Sequence, residues 1–149
     1  MEIQLKELHG RNEILKALLS LGDSLFDQTI NTKEQLEKLS LKYSQRANVL
    51  TISKGNRTIG LCAYYDNDET EKAAYISMLV IDRNEQRKGY GTNLLREVTD
   101  RCIKRQKHSI SLSVSSSNAA AVQFYLSKGF NQFEGNDRAY IYKKELIYK

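Results

Sequence analysis

Apolar and polar residues alternate over residues 2–8, EIQLKEL, and this period of two predicts a half-buried strand. The period then lengthens. Ile14, Leu15, Leu18 and Leu19 fall on one helical face, and Asn12 is placed to cap a helix that runs to Leu21. The stretch GDSLFDQTIN has no period and reads as loop. Thr32 opens a second helix that turns Leu36, Leu39 and Tyr43 to one side. Strands are expected over 48–53 and 57–65, with KGN as the turn between them. The acidic run DNDETEK, 66–72, reads as a hairpin loop. Residues 73–82, AAYISMLVID, form an apolar run expected to be buried on both faces.

A long helix is predicted from 89 to about 106, with Leu94, Leu95, Val98, Cys102 and Ile103 toward the core. SISLSV, 109–114, reads as a strand. A helix over 118–128 has Asn118 as its N-cap and Gly129 just past its end. Two closing strands are expected at 130–134 and 138–146. Antiparallel strands first and a βαβ unit later predict an α+β, mixed-sheet fold.

The chain has 149 residues, 40% hydrophobic and 28% charged, which suits one globular domain over 1–149. No apolar run is long enough to span a membrane, and MEIQLKELHG does not resemble a secretory leader, so the expected location is cytoplasmic. Cys62 and Cys102 sit in apolar patterns and are expected as buried free thiols. No residue is assigned to a metal. The net charge of +5 divides unevenly, −1 over 1–75 and +6 over 76–149. A basic half suits an anionic ligand, either nucleic acid or a phosphorylated cofactor. The basic residues scatter over a helix without forming a stripe, and no nucleic-acid motif accompanies them, so nucleic acid is not expected as a partner.

The chemistry concentrates where strand meets helix, in Leu79-Val80-Ile81-Asp82-Arg83-Asn84-Glu85-Gln86-Arg87-Lys88-Gly89-Tyr90-Gly91-Thr92. A helix N-terminus carries unpaired backbone N–H groups and a partial positive charge, which makes it an anion site. Gly89 and Gly91 carry no Cβ to hold a phosphate off the backbone, and Arg87 and Lys88 add positive charge. Leu94 stands where the dinucleotide fingerprint needs its third glycine, and no Walker A loop occurs.

Gln86-x-x-Gly89-x-Gly91 resembles the signature of the GCN5-related N-acetyltransferase (GNAT) superfamily. Asn118-Ala-Ala-Ala121-Val-Gln-Phe124-Tyr125-Leu-Ser-Lys-Gly129-Phe130 is similar to a second segment of the same superfamily, in the same order. The resemblance spans about 48–146. It implies a mostly antiparallel, twisted sheet of about seven strands with a splayed V between the fourth and fifth, flanked by about four helices. It implies acetyl-CoA as co-substrate and an amine as acceptor, in a monomer or homodimer. Leu79, Val80 and Ile81 would bind the cofactor, with the backbone groups of Leu79 and Ile81 pairing with the pantetheine arm. Backbone groups of Arg87, Lys88, Gly89, Gly91 and Thr92, with Gln86 and Tyr90 beside them, would hold the pyrophosphate. Asn118 would bond the pantetheine or cap the helix. Tyr125 would be the acid that protonates the leaving thiolate.

The base is left open. Histone-acetylating relatives carry a Glu where this chain has Tyr75, and Glu69, Glu71, Tyr64 or a water chain remain as alternatives. His108 is expected to cap a helix C-terminus. The acceptor side is expected to include Asp23, Asp27, Asp66, Asp68, Glu69, Glu71, Glu134 and Asp137, an acidic mouth for a cationic amine. The leading activity is N-acetyl transfer, and the rival is a non-catalytic acyl-CoA-binding module.

Overall fold

The computed structural model describes residues 2–68, 70 and 72–146. In chain order the elements are β1 (Ile3–Leu8), α1 (Arg11–Leu21), α2 (Lys33–Arg46), β2 (Asn48–Lys54), β3 (Arg57–Tyr65), β4 (Ala73–Ile81), α3 (Tyr90–Lys104), β5 (Ser109–Ser115), α4 (Ala119–Ser127), β6 (Asn131–Gly135) and β7 (Ala139–Glu145). The strands form one seven-stranded sheet in the order β1-β2-β3-β4-β5-β7-β6. Only β4 and β5 run parallel, because α3 crosses over between them.

Each helix begins where the sequence supplies an acceptor, with one exception. Thr32 caps α2 by accepting from the Gln35 amide, and Asn118 caps α4 by accepting from Ala121. Helix α1 starts earlier than the expected Asn12 cap. Gly10 is its N-cap, and the Glu13 carboxylate folds back to accept from the amides of His9 and Gly10. Its buried face is Ile14, Ala17, Leu18 and Leu21, whereas Leu19 faces water. The exception is α3, whose N-cap is Gly89 and has no side-chain cap.

The sheet has a core on each face. On one, α3 and α4 bury Leu94, Val98, Cys102, Tyr125 and Phe130 against strands from both sides of the β4–β5 seam. On the other, α1 and α2 bury Ile14, Leu18, Leu36 and Tyr43 against β1 to β4 alone. The α1/α2 side of β5 therefore stays partly open, and its sequence fits: Ile110, Leu112 and Val114 are buried while Ser113 is exposed.

β4 is not buried on both faces as expected. It pairs with β5 only over Ala73–Ser109 to Ile76–Leu112, and then the two strands part. On its other side Tyr64 pairs with Ile76 and Ala63 with Met78, so Ser77 is the extra residue of a β-bulge. The bulge lets Ser77 and Met78 share the α1/α2 face. Tyr75 is 41% exposed and Ser77 is also exposed. The Tyr43 hydroxyl meets the Ser77 hydroxyl at 2.8 Å and ties α2 to the bulge.

Cys62 and Cys102 are both buried free thiols. Burial pushes up the Cys62 thiol and the Tyr64 and Tyr125 phenols, and takes Tyr43 and Cys102 to about 12. Such groups ionise first in the unfolded chain. Above pH about 9 the unfolded state therefore binds fewer protons than the folded one, and stability falls as pH rises. Chemical denaturation between pH 7 and 11 should show a decline that starts near pH 9, where the unfolded thiols titrate, and steepens above 10. A flat profile would contradict the burial of these groups.

Candidate active site

The parting of β4 from β5 leaves the edge of β4 without strand partners from Ser77 to Ile81. The Asp82 amide donates to Ile59 of β3, so by strand alternation the backbone groups of Ile81 and Leu79 turn the other way, into the opening. The Ile81 carbonyl indeed accepts from the Gln86 side chain at 3.0 Å. The same alternation turns Val80's backbone toward β3, and its side chain is buried in the α1/α2 core. The backbone groups of Leu79 and Ile81 thus face the opening, and those of Val80 do not.

At the wide end of the opening lies the turn from Asp82 to Gly89. The Asp82 carboxylate accepts from the Asn84 amide and starts a single 3₁₀ turn, Arg83–Glu85. Arg87 then takes a left-handed φ of 64° and Gly89 one of 91°. Only glycine adopts the second without steric cost, and a Cβ there would meet nothing within 4 Å. The first intrahelical bond of α3 runs from Asn93 to the Gly89 carbonyl. The amides of Tyr90, Gly91 and Thr92 are thus the helix's N-terminal donors, and among the described residues no side chain caps them.

One residue here escaped the sequence reading. Glu85 is 5% exposed in an otherwise polar turn. Its carboxylate accepts from Arg57 at 2.8 Å and Lys88 at 3.2 Å, and lies 3.6 Å from Lys54. Arg57 also reaches Asp82 at 3.2 Å. This cluster fastens the turn to the β2–β3 hairpin. A single Glu in a polar loop gave no sequence signal, because Arg57, the partner it bonds most closely, lies 28 residues away on another strand.

Gly91 faces the opening between β4 and α4. A Cβ there would sit 3.5 Å from the Phe124 ring and 3.7 Å from Ile81. Beyond Phe124, Tyr125 is 7% exposed, edge-on to Phe124 and Phe130 at centroid distances of 5.2 and 5.4 Å. Burial raises its phenol, which therefore holds its proton throughout the neutral range. Leu126, the next residue along the helix, is exposed. Asn118 uses its Oδ1 on the Ala121 amide, so the capping reading is realised and only its NH₂ group is left to meet a ligand.

The alternatives for the base narrow. Tyr64 is buried, and burial raises its phenol, which unsuits it to accept a proton. Glu69 and Glu71 lie outside the described residues. His108 does not cap α3, which ends at Lys104 with Arg105 as its C-cap; it leads into β5, its backbone bonded to Lys72 and Leu146.

The expected acidic mouth is divided. The Arg83 amide donates to the Ser24 hydroxyl, which places Asp23 and Asp27 by the C-terminal end of β4. The Ser116 hydroxyl donates to the Asp137 carbonyl, which puts Asp137 at the matching end of β5. Asp66 and Asp68 precede β4, a strand length away. Asp66 is buried, accepts from Asn48 at 2.7 Å and pairs with Arg105 at 3.8 Å. It is a structural carboxylate.

A sheet split between its fourth and fifth strands, with an uncapped helix at the wide end, defines the class of fold shared by N-acetyltransferases. The sequence model of the Acetyltransferase (GNAT) family matches residues 16–130, and the chain belongs to that family. It is 41% identical to the [ribosomal protein bS18]-alanine N-acetyltransferase of Escherichia coli K12 over 54 residues, which is 36% of each chain. The matched stretch thus spans little more than a third of that relative. The crystal structure of the Escherichia coli ribosomal-protein-S18-alanine N-acetyltransferase superposes with a TM-score of 0.81 at 19% identity, covering 99% of this chain and 96% of that one. PaiA N-acetyltransferase from Thermoplasma acidophilum, solved in complex with coenzyme A, gives 0.79 at 18% identity, covering 97% and 99%. At these identities both structures speak to the fold.

Two outcomes are expected. Gly91→Ala makes only ordinary contacts, so its Tm should stay close to the parent's while affinity for coenzyme A falls by about tenfold or more, read by calorimetry. Equal affinity would remove Gly91 from the ligand path. Hydrogen bonds from Arg57 and then Lys88 hold the Glu85 carboxyl below the ordinary carboxylate range. Its stabilisation is present above the unfolded value near 4.3 and is lost as pH falls through the folded one. Glu85→Gln should therefore flatten the decline of stability as pH falls below about 4.5 in acid denaturation; an unchanged slope would show that the cluster contributes nothing there.

Proposed function

We propose that the chain is an acetyl-CoA-dependent N-acetyltransferase that moves the acetyl group to a primary amine by direct attack on the thioester. The observation that carries this reading is the uncapped N-terminus of α3 at the mouth of the split sheet, beside the unpaired edge of β4. In it, backbone N–H groups of Arg87, Lys88, Gly89, Gly91 and Thr92 hold the pyrophosphate, with Tyr90 completing the turn. Gln86 fixes the turn to Ile81. Leu79 and Ile81 offer their outward backbone groups to the pantetheine, as an edge strand accepts an added strand. Asn118 contributes its NH₂ group.

Tyr125 is the proposed acid. A phenol kept neutral by burial is suited to give its proton to a departing alkyl thiolate. Proton removal from the amine falls to water on the open α1/α2 face, where Ser77 is exposed and Tyr75 replaces the carboxylate of histone-acetylating relatives. That replacement favours an α-amine over a lysine side chain. An α-amine with a pKa near 8 is about one-fifth neutral at physiological pH, whereas a lysine near 10.4 is only about one part in a thousand neutral and needs a base. The likeness to a protein that acetylates the alanine of bS18 supports the same class of acceptor, an N-terminal or small-molecule α-amine.

Thiol release from acetyl-CoA with a panel of α-amine and ε-amine acceptors tests the activity. Tyr125→Phe should lower kcat by about 10²- to 10⁴-fold while the affinity for coenzyme A stays unchanged. Coenzyme A binding with no turnover of any amine would favour the rival, a non-catalytic acyl-CoA-binding module.

A further inference from the structure

A second cavity of about 570 Å³ lies on the open α1/α2 face, near the point where β4 and β5 part. Its floor is a cross-strand pair, Tyr65 of β3 opposite Tyr75 of β4. Its wall is the last part of α2, where Lys42 and Arg46 stand four residues apart and so project from the same side. Neither cation is ion-paired among the described residues. Asn67 closes the rim and fixes it in place, donating to the Arg46 carbonyl at 2.9 Å. The lining carboxylate, Asp68, accepts from the amide and hydroxyl of Thr70 at 3.0 and 2.8 Å. The Tyr65 hydroxyl is buried and has no hydrogen-bond partner among the described residues.

Two cations that line one cavity with two tyrosines and have no ion pair among the described residues suit a carboxylate. Tyr43 connects this cavity to the site already described. It lies between Lys42 and Arg46 on α2 and bonds Ser77, the bulge residue where the opening begins. Along β4, Tyr75 and Ser77 are two residues apart, roughly 7 Å at about 3.3 Å per residue.

We infer that this cavity is an acceptor subsite for an anionic group, and that the acceptor amine carries a carboxylate about two peptide units away. This rests on the acetyl-transfer reading for the position of the amine. It assigns Lys42 and Arg46 as specificity residues, with no part in the transfer step. A peptide with an acidic third residue has the required reach.

The test uses two tripeptide amides, Ala-Ala-Glu and its uncharged isostere Ala-Ala-Gln, titrated calorimetrically into the protein with coenzyme A present. The Glu peptide should bind about tenfold more tightly at low salt, and the preference should shrink as salt is raised. In the exposed double variant Lys42→Gln/Arg46→Gln the preference should vanish, with Tm and coenzyme A affinity unchanged. Equal affinities, no measurable binding of either peptide, or a preference that survives in the double variant would each overturn the subsite. Thiol release with the same peptides reports separately on the transfer activity: turnover without preference overturns the subsite alone, and binding preference without turnover supports the subsite while failing the transfer reading.

Discussion

The structure depends on how little β4 and β5 share. Four residue pairs join them, from Ala73–Ser109 to Ile76–Leu112, and then the strands diverge. A continuous sheet would satisfy the edge of β4 with β5 and leave no room for a ligand. The divergence is held on both sides. The Ser77 bulge shifts the register of β4 against β3, and Tyr43 bonds that bulge from above. Across the other face, the core under α3 and α4 spans the seam without a break and keeps the two parts of the sheet in one body.

That arrangement gives the two ends of β4 different electrostatic characters. At its C-terminal end a buried carboxylate, Glu85, gathers Arg57, Lys54 and Lys88 and fixes the turn that precedes α3. A buried charge is costly unless it is paired, so three cations around one carboxylate make the turn's position specific. Along its N-terminal half the exposed side of β4 meets Lys42 and Arg46 of α2. Positive charge thus stands at both limits of the opening, one group of cations gathered on Glu85 and the other without an ion pair among the described residues.

Much of this was legible in the sequence because local rules dominated locally. Periodicity placed the elements, Thr32 and Asn118 cap the helices they were expected to cap, and the glycines at 89 and 91 fall on the turn and the helix start. The failures are equally local in cause. β4 looked buried on both faces because a run of apolar residues hides a bulge, and the extra residue at Ser77 changes which side chains share a face. Asn12 lost the cap of α1 to Gly10, since Glu13 could serve the orphan amides from inside the helix. Val80 shares the apolar run with Leu79 and Ile81, but strand alternation turns its backbone toward β3. Glu85 and the division of the acidic residues between opposite ends of the sheet depend on contacts between distant segments, which spacing along the chain does not report.

The shared core under α3 and α4 has one more implication. On that face the two parts of the sheet are sealed together, while on the other face α1 and α2 rest on β1 to β4 alone. The molecule is therefore built like a book bound along one cover, with the gap between β4 and β5 as its gutter. A ligand laid in the gutter would act as an eighth stave, supplying the hydrogen-bonding edge that the chain withholds from itself. Mechanical continuity across the sheet would then belong to the complex and not to the polypeptide.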